Sequence, residues 1–466
     1  MPVRPVRLVL LALVALLAAP AATVSAAPRL QIGFYDDPSF RWSRSVPQNL
    51  ASARAAGGSI VHTTADWSQI APTRPRVALD PDDKAYRLGD LDALVRDASR
   101  FGQQVMINIS GAPRWTNGGK KSNYAPTNLS SLTTFARMLA TRYSGKNPGL
   151  GSVSKWSVWN EPNLDLFLTP QFRGNKIVSP GIYAKIYAAA YKGIKAGNPL
   201  AKVAAGETSN RGRDKPIKGI SGSVAPATFA RLLAQATPKI KFDAWATHPY
   251  PTYPSIGPTQ KVAWPNVTMT RLQQFGAGLQ SWYKRRVPIW ITEYGQQTRP
   301  ELSRGVSRAK QATDARVALR MAAANPYVEM FCWFIIRDSN DKTWRSGLLS
   351  ASGARKPAFG TFASTARLLD GLTFRVAASR SPRIKLYVPF MSYRAPTGAV
   401  LGVTYRIYDG KKLVALGQPT SPLGPDQSVS FTAVFKPAKK KTYRLVADVN
   451  DASGNHEART VAIVTP

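Results

Sequence analysis

The stretch Lys155-Trp156-Ser157-Val158-Trp159-Asn160-Glu161-Pro162-Asn163 decides how this chain is read. An apolar, strand-forming run ends there in a polar turn that carries a carboxylate. The pattern returns at Pro288-Ile289-Trp290-Ile291-Thr292-Glu293-Tyr294-Gly295. Only six glutamates occur among 466 residues, the others being Glu207, Glu301, Glu329 and Glu457. In a chain so poor in glutamate, two at matching strand ends look placed rather than scattered.

Working outward, further strand-like runs appear at Leu30–Tyr35, Ser59–Thr64, Gln104–Ile109, Lys202–Gly206, Phe242–Thr247 and Val328–Ile335. With Lys155–Trp159 and Pro288–Thr292 they make eight. Amphipathic helical patterns lie between them, at Asp90–Phe101, Leu129–Tyr143, Ile182–Ala196, Thr228–Ala236, Val267–Lys284 and Ser307–Ala324, and Ala358–Leu369 closes the series. Strands alternating with helices predict parallel crossover units. Eight of them predict a closed (β/α)8 TIM barrel, an α/β fold. An open doubly wound sheet would call for a glycine-rich phosphate turn after the first strand, and Gly33-Phe34-Tyr35-Asp36 supplies none.

After Gly371 the texture changes. Alternating runs at Phe374–Ala378, Ile384–Pro389, Leu401–Tyr408, Leu413–Leu416, Val429–Phe435, Tyr443–Val449 and Thr460–Val464 predict a small antiparallel β-sandwich, immunoglobulin-like in its last hairpin. At the other end, Arg4 and Arg7, an apolar stretch Leu8–Ala19 and Val24-Ser25-Ala26-Ala27 predict a secretory signal peptide over residues 1–27. The apolar run is shorter than the about 20 residues a membrane span needs, so an exported protein without a stable span is expected. The expected domains are residues 28–372 for the barrel and 373–466 for the sandwich.

Composition narrows the chemistry. Cys332 is the only cysteine and lies in an apolar strand, so it reads as core. With three histidines and no Cys-x-x-Cys pair, neither a metal site nor a cofactor is expected. The net charge of +37 would favour anionic partners such as acidic polysaccharide or cell-wall polymer. Nucleic acid is not expected, because the basic residues are spread along the chain without a recognition motif. Lys436 and Lys439-Lys440-Lys441 form a short basic run in the expected sandwich.

Function in a barrel of this type concentrates at the C-terminal ends of the strands. In strand order those ends offer Asp36 and Asp37; His62, Asp66 and Trp67; Asn108, Arg114 and Trp115; Asn160 and Glu161; Glu207; His248 and Tyr250; Glu293 and Tyr294; and Trp333, Arg337 and Asp338. Carboxylates, aromatic faces and hydrogen-bonding groups crowd one rim, the mixture a sugar site needs. Two facing carboxyl groups are the minimum equipment for cleaving a glycosidic bond.

Asn160-Glu161-Pro162 after the fourth strand, with Glu293 after the seventh, resembles clan A glycoside hydrolases of the cellulase-like family 5 and family 39 type. Thr247-His248-Pro249-Tyr250, Trp333, Gly347-Leu348-Leu349 and Lys356-Pro357-Ala358 extend the resemblance over most of residues 29–370. It implies a retaining β-glycosidase in which Glu161 is the acid/base and Glu293 the nucleophile. It implies too that Asn160 binds the sugar 2-hydroxyl, that Tyr250 or His248 orients nucleophile and sugar, and that Trp333 floors the subsite. Trp115 and His62 join them as candidate substrate-binding residues. Where relatives are expected to carry an arginine near the nucleophile, this chain has His62. Either a protonated His62 or Arg114 would then have to supply the positive charge. Glu207 ends a strand without an assigned role. The competing reading is a secreted glycan-binding or wall-associated protein whose barrel no longer catalyses.

Overall fold

The computed structural model describes residues 30–216, 222–339 and 344–370, and in the C-terminal part 373–377, 388–394, 400–418, 428–432, 435, 438, 441–451 and 456–464. The expected signal peptide over residues 1–27 lies outside the described residues, as do Lys436, Lys439 and Lys440. Among the described residues, no helix is long and apolar enough to cross a membrane.

Eight strands, β1 (Gln31–Tyr35), β2 (Ile60–Asp66), β3 (Gln104–Ser110), β4 (Lys155–Val158), β5 (Lys202–Ser209), β6 (Ala244–His248), β7 (Ile289–Tyr294) and β8 (Val328–Phe334), form a closed barrel. Every pair is parallel, and β1 against β8 completes the ring. Each strand leads to a helix: Val46–Ala55, Gly89–Arg100, Leu129–Arg142, Ser179–Gly197, Pro226–Gln235, Leu272–Tyr283, Arg308–Ala324 and Pro357–Asp370. The predicted α/β barrel is therefore the observed fold.

The helices form where an apolar stripe recurs at helical spacing. In Gly89–Arg100 the buried residues are Leu91, Leu94, Val95 and Ala98, while Asp90 and Asp92 sit favourably in the first turn. Burying each of the larger side chains stabilises the packing by about 1.5–3 kcal/mol. Asn128 and Ser307 cap their helices by accepting backbone N–H bonds. Gly193 lets Ser179–Gly197 lie directly on Leu129–Arg142, since a Cβ there would collide with the Thr133 carbonyl. The helix Val46–Ala55 was not expected from the sequence. It buries only Asn49, Leu50 and Ala53 and so shows no clear apolar stripe.

Inward-facing side chains fill the barrel floor: Ile60, Met106, Ala204, Ala244, Ala246, Trp290, Met330 and Cys332 form one apolar cluster. Cys332 is fully buried, as its sequence context implied. At the opposite rim Asp36 joins the two ends of the ring, accepting N–H bonds from Ser39, Ile336 and Arg337. Asp37 accepts from the Thr63 hydroxyl and pairs with Arg41 at 3.6 Å. These two acids serve the scaffold.

C-terminal to the barrel lie two antiparallel sheets. One has the order Thr373–Ala377, Val388–Arg394, Ser428–Thr432; the other Lys412–Gly417, Val400–Asp409, Thr442–Asp451, His456–Val464. Among the described residues, seven strands in two sheets are consistent with the expected small sandwich, with one displacement. The second strand is Val388–Arg394, beyond most of the predicted Ile384–Pro389, whose first four residues are not described.

Candidate active site

The site is assembled by distortions at two strand ends. Beyond β4, Trp159 and Glu161 adopt left-handed φ values of 67° and 36°. Such conformations cost about 1–3 kcal/mol each and persist only where the surroundings over-determine them. Here the Asn108 amide donates to the Trp159 carbonyl at 2.7 Å, and the Trp159 indole N–H donates to the Phe167 carbonyl at 2.6 Å. Asn163 accepts from Ser209 N–H and donates to the Val224 carbonyl, tying this turn to the end of β5.

In β5 the register shifts between Gly206 and Thr208, and both Gly206 (φ 102°) and Glu207 (φ 46°) are left-handed. Strict alternation from the inward Ala204 would face Glu207 outward. The bulge reverses that and turns its carboxylate into the barrel. The Tyr183 hydroxyl holds the bulge from outside, accepting from Gly206 N–H and donating to the Val158 carbonyl.

Three carboxylates then converge on one imidazole. His248 is fully buried. Its Nε2 lies 2.8 Å from Glu207 Oε2, and its Nδ1 lies 3.0 Å from Glu161 Oε1 and 3.6 Å from Glu293 Oε2. A ring with a carboxylate at each nitrogen donates from both, which only the imidazolium can do. Burial alone would strip its proton. The Glu293 charge and the bonds to Glu161 and Glu207 outweigh that and hold its pKa well above the ordinary value.

Burial would likewise raise Glu207, but the hydrogen bond and charge of His248 keep it below the usual range. Thr292 Oγ1 donates to it as well, at 2.6 Å. Glu293 is pushed up to about 7, first by burial and then by the Glu161 and Glu207 charges. His248 and the Tyr250 hydroxyl, which donates to Glu293 Oε2 at 3.1 Å, partly offset this.

A cavity of about 520 Å³ opens over this cluster, lined by Tyr35, Asn160, Glu161, Tyr250, Glu293, Phe334 and Trp344, with Arg211 towards one end. Of the residues anticipated from the sequence, Glu161, Glu293, Asn160 and Tyr250 meet here, with His248 directly beneath. Three others do not.

Trp333 is fully buried, gives its indole N–H to the Ser346 carbonyl at 2.8 Å and packs edge-on against Phe362. Met330 and Cys332 face inward, so Trp333 faces the helices and cannot floor a subsite. Its neighbour Phe334 faces the cavity, edge-on to Trp344 at 5.2 Å. Trp115 lines a separate cavity with Trp67 and Arg74, and its N–H is taken by the Ala71 carbonyl. His62 sits one layer below the cleft, donating from Nδ1 to the Thr292 carbonyl at 3.3 Å beside the Tyr35 ring. Burial lowers its pKa to about 4, so it is neutral and brings no positive charge to the nucleophile. Arg114 is exposed and does not line the cavity.

The sequence reading missed Tyr35, Phe334, Trp344 and Arg211 as cavity residues. Strand parity would have found Phe334. It also left Glu207, placed at a strand end, without a role, and the bulge is what turns its carboxylate inward.

The barrel is a known one. The family described as Cellulase (glycosyl hydrolase family 5) matches residues 35–339, more than half of the chain. Comparison with curated proteins finds no match. Among solved structures, the chain is similar to a family 39 glycoside hydrolase from Bacteroides cellulosilyticus WH2, at 16% identity and TM-score 0.54 over 88% of this chain and 81% of that one. A glucosidase from Croceicoccus marinus is similar at 14% identity and TM-score 0.56, over 88% and 94%. A family 39 β-xylosidase from Caulobacter crescentus is similar at 13% identity and TM-score 0.53, over 88% and 98%. These likenesses concern the fold. Together with the paired carboxylates at its mouth, the family match identifies the chain as a glycosidase belonging to the cellulase family, glycosyl hydrolase family 5.

Proposed function

We propose that the protein is an exported, two-domain retaining β-glycosidase acting on a poly- or oligosaccharide, with Glu161 as acid/base and Glu293 as nucleophile. The observation that carries this reading is the shared donor: Glu161 and Glu293 both contact His248 Nδ1, at 3.0 and 3.6 Å. Only a collinear arrangement of those contacts would reach the about 6.5–9.5 Å spacing of inverting pairs. A bend at Nδ1 of more than about 20° from collinear brings the oxygens below it, towards the about 5–5.5 Å of retaining enzymes.

In the first half-reaction Glu161 protonates the leaving oxygen while a Glu293 oxygen bonds to the anomeric carbon. In the second, water attacks that carbon, its proton passes to Glu161 and the Glu293 carboxylate is released. Asn160, which lines the cavity, would bind the sugar 2-hydroxyl, and Phe334 and Trp344 offer aromatic faces. Glu293→Gln is expected to cut turnover of an activated aryl β-glycoside by ~10⁴-fold or more, with thermal unfolding unchanged. Wild-type turnover in that variant would exclude the assignment.

We further propose a substrate bearing an anionic group. Arg211 lines both the catalytic cavity and an adjoining one of about 530 Å³ that Arg213 also lines. Among the described residues, no hydrogen bond or ion pair engages the Arg211 side chain. Arg211→Ala should raise KM about tenfold for an acidic oligosaccharide and leave a neutral one unaffected, as expected for a charged hydrogen bond. Equal effects on both would refute this extension.

A further inference from the structure

The proposed mechanism leaves one buried group unexplained. Glu207 is fully buried, spends two left-handed residues on its orientation and touches no part of the cavity. We propose that Glu207 is a positioning residue: it fixes His248 as a two-sided donor whose Nδ1–H faces Glu161 and Glu293 together and follows the negative charge as it crosses the cleft. This inference rests on the roles just given to those two carboxylates.

The argument begins with charge balance. Before attack the pair carries one negative charge, on Glu293, and one proton, on Glu161. As the glycosidic C–O bond breaks, the proton leaves with the departing alcohol, Glu161 becomes the anion and Glu293 becomes a neutral ester. Attack by water reverses this: the ester C–O bond returns its electron pair to Glu293 and the water proton goes to Glu161. The pair thus holds one negative charge at every stage, and only its location changes. A fixed cation beside one carboxylate would help one half-reaction and oppose the other. Nδ1 lies within 4 Å of both, so a small rotation serves either state.

A lone imidazolium beside an ionised carboxylate could surrender its proton and quench nucleophile or base. Glu207 prevents this from the far side. Its Oε2 receives Nε2–H at 2.8 Å and the Thr292 hydroxyl at 2.6 Å. The other titratable groups facing the cluster are Tyr35, Tyr183, Tyr250, Cys332 and His62. All stay neutral near pH 7, because burial raises the phenols and the thiol and lowers the imidazole. Among the described residues, His248 is thus the cation paired with both catalytic carboxylates. The arrangement supplies the positive charge that neither His62 nor Arg114 provides.

Nitrogen NMR of the imidazoles tests this on the wild-type protein, with His62→Gln and His456→Gln used for assignment. The expected result is a His248 ring protonated at both nitrogens from pH 5 to pH 8 (a window of ~1.5 units either side of the ordinary histidine value). A singly protonated ring in that range would overturn the proposal whether or not the enzyme hydrolyses glycosides. Absent wild-type hydrolysis would instead count against the catalytic reading and leave the NMR result standing.

In Glu207→Gln the amide oxygen can still accept from Nε2, so shape is kept and only charge is lost. His248 should then lose its second proton at lower pH. The acid limb of kcat/KM, set by ionisation of Glu293, should move up by ~1 pH unit as the nearby cation weakens. A folded variant whose limb stays in place would reduce Glu207 to a structural role. If the variant does not fold, the wild-type spectrum decides.

Discussion

Two adjacent layers inside the barrel share the same strands and have opposite chemistry. The lower layer, with Ile60, Met106, Ala204, Ala244, Ala246, Trp290, Met330 and Cys332, is mainly apolar, with the buried Lys155 in register with Met106. Two residues further along, His62, Asn108, His248 and Thr292 replace it, joined by Glu207 from the bulge. Two residues of strand amount to about 6.6 Å. Within that step the interior changes from mainly dispersion packing into a polar network, in which His248 bridges Glu207 and Glu161 and Thr292 donates to Glu207. Stability and chemistry are thus assigned to alternate inward positions of the same strands, and substitutions in the two layers should fail in different ways.

The largest expected effect is at the rim. Glu161→Ala should lower the rate for poor leaving groups by ~10²–10⁴-fold without moving the unfolding temperature, because proton donation is what is lost. Aryl glycosides with acidic phenol leaving groups should suffer far less in the first step. An equal loss across leaving groups would mean that Glu161 is not the acid.

The lower layer should respond inversely. Met330→Ala leaves a cavity in the floor and should destabilise the fold by about 2–5 kcal/mol in denaturant unfolding. The kcat of the molecules that remain folded should stay near wild type. A matching fall in kcat would erase the distinction between the layers.

The smallest effect concerns tuning. Tyr250 gives Glu293 a hydrogen bond that favours its ionised form, against the burial that pushes it up to about 7. Glu293 must be ionised to attack, so activity rises as pH rises through its pKa. Tyr250→Phe removes the favourable bond and should move the acid limb of kcat/KM to higher pH by about one unit. A shift to lower pH would show that the phenol favours the protonated acid instead.

These layers also mark how far the sequence could be read. Eight apolar runs spaced by helical patterns were legible because parallel strands buried on both faces announce themselves as continuous hydrophobic segments. Glu161, Glu293, Asn160 and Tyr250 were legible from their positions just past such runs. Trp333 was misplaced by one step of strand parity, which Met330 and Cys332 could have corrected. Trp115 shares a loop with residues near the rim, yet its ring turns to Ala71 and Trp67, a direction no spacing encodes. Glu207 was illegible for a different reason. A bulge breaks the alternation on which every inference about facing depends, and its signal is a single glycine before an acid. His62 carried the expected parity, but its protonation depends on the desolvation of the layer it occupies.

The buried thiol of the floor has a practical consequence for anyone working with this chain. Cys332 has no exposed surface, and burial pushes its pKa well above that of a free thiol, so the native protein offers alkylating reagents almost nothing to attack. Modification of wild type therefore proceeds only through openings that expose the innermost packing, and its rate serves as a built-in clock for them. A cysteine introduced on any loop at the mouth would, by the same token, be the single reactive handle on the molecule. A fluorophore or spin label could be attached there without first removing a native residue.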